Sequence, residues 1–257
     1  MGQLNDAAHI NARAAAKRSV MRAPRQLALE FPNRWGGARP GAGRKPSARR
    51  STPHRARPIH REREPVHVTL RARIAPLRSQ FLFPSVRLAL LRAARHDRER
   101  FRIVHFAVQR DHLHLIVEAR DAKCLSSGMR GLCVRIARYV NDLLNRRGAF
   151  WADRWHGRAL RTPREARNVI LYVLANFRKH APRQPRPGID PFSSGVWFDG
   201  WREWSPAAGV PPPLAEAAPC LSHDPIARAI FTPRTWQAAH GWRQHAPLSI
   251  NEQPAKV

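Results

Sequence analysis

Three observations predict an α+β fold, a ferredoxin-like sandwich in which an antiparallel sheet carries helices on one face. Residues 65–182 run strand, helix, strand, strand, helix, extended piece, helix. Apolar residues recur every second position in the short segments and every three or four in the long ones. Two of the strands are joined by a connection short enough to be a hairpin. This arrangement leaves the second sheet face available. The prediction adds a disordered basic tail over residues 1–64 and a Trp-rich extension over 183–257 with a small helical part.

The elements follow in order. Val66, Val68 and Leu70 alternate with His67, Thr69 and Arg71, a period-2 strand. Phe83 to Asp97 predicts a helix with Val86, Leu88, Leu90, Leu91 and Ala94 on its apolar faces. Phe101 to Val108 and His112 to Ala119 are strands joined by Gln109-Arg110-Asp111. Leu125 to Arg147 predicts a long helix through Leu132, Ile136, Val140, Leu143 and Leu144, ended by Gly148. An extended piece follows around Phe150–Leu160. The next helix has the clearest start: Thr162 is the N-cap, Pro163 the first helical residue, and Glu165 completes the capping box. It should run to about His180, stopped by Pro182.

Beyond it, Trp197, Trp201 and Trp204 stand at i, i+4 and i+7, the spacing of one helical stripe. Packing onto the core is the first meaning of such a stripe, and base stacking the second. Residues 205–220 form a Pro/Ala linker, and Asp224 to Gln244 a small helical appendage carrying Trp236 and Trp242.

Charge narrows the partner. The chain has 46 Lys and Arg against 18 Asp and Glu, a net +28. That excess implies a polyanion, with binding that weakens steeply as salt rises. No run of 18 apolar residues occurs, so no membrane partner is expected, and the first 30 residues lack the apolar core of a secretory signal. Cys124, Cys133 and Cys220 are odd in number and lack metal-ligand spacing, which fits small buried side chains in a reducing, cytoplasmic compartment. In the basic tail, the glycine-flanked stretch 34–46 with Arg39, Arg44 and Lys45 suits a narrow minor groove. A flexible tail with non-specific attraction is the alternative.

Two features carry chemistry. On the strand from His112, Leu113, Leu115 and Val117 face one way while His112, His114 and Ile116 face the other. With the Leu/Val face turned to the helices, both imidazoles emerge on the open face, where i and i+2 side chains can share one divalent metal. Alone, such a pair is most often two ordinary strand residues. Tyr172 is one of only two tyrosines. The apolar arc of its helix centres near Val169, Ile170 and Val173; Tyr172 lies about 130° from that centre and Asn176 about 90°, side by side on the flank. A packing tyrosine is the bland alternative. A tyrosine paired with an amide one turn later could instead offer a nucleophile and a further ligand to one point.

These residues resemble the HUH-superfamily single-tyrosine transposases, in particular the group associated with REP sequences in bacterial genomes. The resemblance covers about Pro65 to Lys179. It rests on His112-Leu113-His114 before an apolar run, the block 135–141, Phe150-Trp151-Ala152-Asp153-Arg154-Trp155, and Tyr172-Val173-Leu174-Ala175-Asn176. It departs from the family pattern at Arg110-Asp111, where Pro-Asn is usual, and at residues 176–180, where Asn-Pro-Val is usual.

The resemblance implies that His112, His114 and Asn176 hold Mg2+ or Mn2+ and that Tyr172 is the nucleophile. The implied substrate is single-stranded or hairpin DNA, cleaved to a 5′-phosphotyrosine link and a free 3′-hydroxyl and then rejoined elsewhere. Tyr139, with Arg135 and Arg138 on its helix, is expected to pack or to stack on bases. Arg154, Arg158, Arg161, Arg178 and Lys179 are expected along the DNA path. A bacterial, nucleoid-associated setting is implied, with monomer and homodimer both open. The alternative is a non-mobile descendant that binds hairpin DNA or RNA without cutting it. Intact His112, His114 and Tyr172 favour the enzyme, since a binder has no need of all three.

Overall fold

Four strands form one fully antiparallel sheet: β1 (Val66–Arg71), β2 (Phe101–Val108), β3 (His112–Ala119) and β4 (His156–Ala159), in the order β2-β3-β1-β4. With α1 (Phe83–His96) between β1 and β2 and α2 (Ala122–Leu143) between β3 and β4, the connectivity is that of the expected ferredoxin-like α+β sandwich. The computed structural model describes residues 59–74, 76–96, 98–180, 187–210, 212–214 and 229–254. The expected disordered tail, the stretch with Arg39, Arg44 and Lys45, and Cys220 lie outside them, as does the start of the expected 224–244 appendage.

The strand alternation does what its period dictates. Val66, Val68 and Leu70 of β1 and Leu113, Leu115 and Val117 of β3 meet Phe83, Val86 and Leu90 of α1 and Met129, Leu132 and Ile136 of α2 in one buried cluster. Each fully buried side chain of this kind is worth about 1.5–3 kcal/mol. On β2 the pattern changes parity: Phe101 and Ile103 face this layer, and so do Phe106 and Val108. An irregularity in the β2–β3 register between Ile103 and His105 absorbs the extra residue, as a β-bulge does.

Helix α2 starts three residues before the predicted Leu125, because Asp121 serves as N-cap and accepts from the Cys124 amide at 2.7 Å. It also ends earlier, at Leu143, where Asn145 (φ 45°) and Gly148 (φ 100°) turn the chain left-handed. The capping box of α3 (Pro163–Ala175) forms as expected, with Thr162 and Glu165 each accepting from the other's amide. The helix stops short of His180: Asn176 caps it and a separate turn, α4 (Phe177–His180), follows.

The second sheet face is not left bare, which corrects the expectation of an open surface. Val104, Ala107 and Ile116 on that face pack against α3 and against Phe198, Trp201, Trp204 and Trp242 of the C-terminal extension. The extension also closes the β2 edge. Val108 donates to the Phe192 carbonyl at 2.9 Å and the Phe231 amide to the Ile103 carbonyl at 2.8 Å, while Ser194 Oγ accepts from the Phe106 amide at 3.0 Å. Glu118, buried on β3, accepts from the amides of Arg234 and Thr235 and from the Thr235 hydroxyl.

The Trp stripe is core, as its first meaning held, but it is not helical. A 3-10 turn covers Ser194–Trp197, and the chain then runs through Phe198 in extended form. The tryptophans converge because the chain folds back on itself: a Cβ at Gly200 would stand 2.2 Å from the Trp242 ring. Among the described residues, the appendage carrying Trp236 and Trp242 forms α5 (Trp236–Ala239) and a 3-10 turn at Gly241–Gln244. No helix among the described residues is long and apolar enough to cross a membrane.

Candidate active site

The centre of the site is built by β1 and β3 together. Antiparallel pairing sets Thr69 opposite His114 and Arg71 opposite His112, so the side chains on the α3 side of both strands share one patch. His114 is only 4% exposed, which corrects the expectation that both imidazoles stand on an open face. Its Nδ1 lies 3.2 Å from Thr69 Oγ1 and 3.3 Å from His67 Nε2. His67 was not singled out by sequence. Burial, aided by the nearby charge of Arg158, lowers its pKa to about 4, so the ring is neutral at pH 7 and keeps one nitrogen as an acceptor.

His112 sits at the rim, half-buried, its ring edge-on to His114 at 4.8 Å between centroids. Its Nδ1 is 2.8 Å from Asp111 Oδ1. That hydrogen bond holds the Asp111 carboxyl below its ordinary pKa, and Arg71 reinforces the effect at 3.3 Å. An ionised carboxylate can only accept, so in the neutral ring the proton is on Nδ1 and Nε2 is left with its lone pair. Asp111 thus fixes the tautomer and orientation of the His112 ring.

Helix α3 brings the tyrosine. The Tyr172 ring stands edge-on to His114 at 5.0 Å and to His67 at 5.8 Å. It is half-buried, and that burial raises its pKa, so the phenol is protonated at rest. Asn176 follows one turn later on the same flank. It is 0% exposed, and neither its Nδ2 nor its Oδ1 has a hydrogen-bond partner. An unsatisfied buried amide costs about 1–3 kcal/mol. Among the described residues no three His, Cys, Asp or Glu side chains converge as a metal-holding group.

The basic residues divide. Arg158 on β4 lies opposite His67 and is exposed, paired with Glu165 at 2.9 Å. Arg154 and Arg161 are exposed on the same stretch, and the Arg161 amide binds Glu165. Arg178 is not with them. Its guanidinium binds the carbonyls of Gly188 and Ile250 and lies over the Phe177 ring, which ties α4 to the C-terminal extension. The side chain of Lys179 lies outside the described residues. On α2, Arg138 is exposed, Arg135 half-buried, and the Tyr139 hydroxyl accepts from Arg92 at 2.7 Å on the helical layer, away from His114.

No family model matches this chain, and no curated protein does. Among solved structures it is similar to a REP-associated tyrosine transposase bound to a REP hairpin. The two are 22% identical, the TM-score is 0.42, and the match covers 56% of this chain and 82% of that one.

Proposed function

We propose that this protein is a DNA transposase that cleaves and rejoins single-stranded, hairpin-bearing DNA through a covalent bond to Tyr172, with Mg2+ or Mn2+ as cofactor. The observation that carries the reading is the packing of the Tyr172 ring against His114, beside His112, with the buried, unpartnered Asn176 one helical turn after the tyrosine. In the family it resembles, these residue types occupy these positions.

The donor types suit a divalent ion: imidazole nitrogens from His112 and the buried His114, and the amide oxygen of Asn176. When bound, the ion would neutralise charge on the scissile phosphate and make phosphorus easier to attack. The rest falls to the chain. His67 and Thr69 fix the His114 ring, and Asp111 fixes the His112 ring. Arg154, Arg158 and Arg161 bind the phosphodiester backbone. The Tyr172 oxygen bonds to phosphorus and loses its proton to water as the bond to the 3′ oxygen breaks, and that oxygen takes up a proton. The 5′ end is then held as a phosphotyrosine. A 3′-hydroxyl from a second strand reverses the step and restores the phenol. Because one phosphodiester is exchanged for another, no ATP is needed.

The test is adduct formation. Labelled hairpin DNA with a single-stranded flank is incubated with Mg2+ or Mn2+ and run on denaturing gels. An adduct that requires metal and disappears in Tyr172→Phe and His114→Ala supports the reading. Tight binding with no adduct under either metal withdraws the catalytic roles and leaves a hairpin-binding protein.

A further inference from the structure

At the opposite end of β3 from His112, on the helical side of the sheet, a cavity of about 560 Å3 opens between the end of α1 and the first turns of α2. Arg100, Arg120, Lys123 and Arg135 all line it. Among the described residues the carboxylate in its wall is Asp121, which pairs with Arg120 at 3.5 Å and accepts from the Cys124 amide at 2.7 Å and the Cys124 thiol at 3.3 Å. Four basic side chains thus line one cavity.

The cavity is shaped for this. Gly128 lets α2 approach the sheet so closely that a Cβ there would stand 2.3 Å from the Phe101 ring. One turn on, Arg135 Nη1 lies 3.1 Å from where a Cβ of Gly131 would be, so the guanidinium lies back across the bare helix surface.

We infer that this cavity is a second DNA site, which grips the phosphate backbone of the paired hairpin stem. The inference rests on the DNA-processing reading above. Six residues of strand separate His114 from Arg120, a distance of about 20 Å, so a phosphate held here is not the one attacked by Tyr172. The site is chemically suited to backbone and not to unstacked bases. Its one aromatic residue, Phe101, is buried beneath Gly128, whereas single-strand grooves place exposed rings under successive bases. Contacts from Arg and Lys to phosphate alone position a duplex without reading its sequence.

Cys124 lines the cavity and reports on it directly. The full-length protein is alkylated with iodoacetamide, and Cys124 modification is followed by peptide mass. This is done alone, with a hairpin carrying a single-stranded flank, and with the flank alone. The hairpin is expected to slow alkylation of Cys124 several-fold, and the flank to leave it unchanged. Lys123 is exposed, so Lys123→Glu does not endanger the fold. It should abolish the protection and reduce the salt slope of hairpin binding by about 0.9 per lost contact. Cys124 alkylated at the free rate while the hairpin is bound, or a Lys123→Glu protein with the wild-type slope, overturns the second site and leaves the Tyr172 reading intact. A wild-type protein that binds neither DNA overturns both.

Discussion

His67 Nε2 and His114 Nδ1 lie 3.3 Å apart, with the two rings stacked at 5.3 Å between centroids. If His114 gives its Nε2 to a metal, its proton is on Nδ1, and the neutral His67 ring and Thr69 hydroxyl are the groups able to accept it. With His114 as a ligand, as proposed, His67 would be a positioning residue whose loss acts through His114. His67→Phe keeps an aromatic ring in the same space but removes the acceptor. We expect Mn2+ affinity, read by titration calorimetry, to fall about 10–100-fold, with adduct formation restored by excess metal. Wild-type Mn2+ affinity in this variant would remove His67 from the account.

Asn176 leads to an opposite trade. Its buried amide has no hydrogen-bond partner, so an apolar side chain of similar size should suit the fold better. Asn176→Leu is expected to raise stability without metal by about 1–3 kcal/mol, while abolishing any rise in melting temperature on adding Mn2+. A destabilised variant that still responds to Mn2+ would show that the amide serves packing and not ligation.

Much of this was legible in the sequence, and the physical reasons mark the boundary. The Thr162–Glu165 box, the 109–111 hairpin and the β1 alternation are local patterns, so they form as read. The cap at Asp121 is equally local, but the apolar period, followed alone, placed the start of α2 at Leu125. Other features depend on distant pairing. His67 joins the site only because β1 lies beside β3 in a register that sets Thr69 opposite His114. The cover on the second sheet face comes from residues some ninety positions away, as in the contact of Ser194 with Phe106. The spacing of Trp197, Trp201 and Trp204 matched a helix, yet tertiary packing against Trp242 and Phe198 set the backbone instead.

That cover is anchored by a buried ion pair. Asp190, fully buried at the start of the extension, meets Arg78 at 2.8 Å and accepts from the Phe192 amide, while the Arg78 guanidinium lies over the Phe192 ring at 4.5 Å. Removing Arg78 leaves the buried Asp190 carboxylate with only the charge of Arg178 and the Phe192 amide to balance it. Arg78→Ala should cost about 3–5 kcal/mol in urea unfolding, and the double variant with Asp190→Asn less than the sum of the two changes. Strict additivity would mean that the two groups do not act as a pair.

His105 sets the acid limit. It is enclosed on the sheet face, within reach of Ser194 Oγ at 3.3 Å and edge-on to Phe198, and burial lowers its pKa from 6.5 to about 4, against the opposing pull of Asp199. Between those values the unfolded chain binds a proton that the folded chain refuses, so stability falls as pH drops through 6.5 and the loss is complete near 4. A gap of that size is worth on the order of 3 kcal/mol. His67, with a similarly lowered pKa, acts in the same direction, so His105→Gln should remove only about half of the pH dependence. Urea midpoints measured without metal at pH 7, 5.5 and 4 make the comparison. An unchanged dependence in His105→Gln would mean that His105 does not set the acid limit.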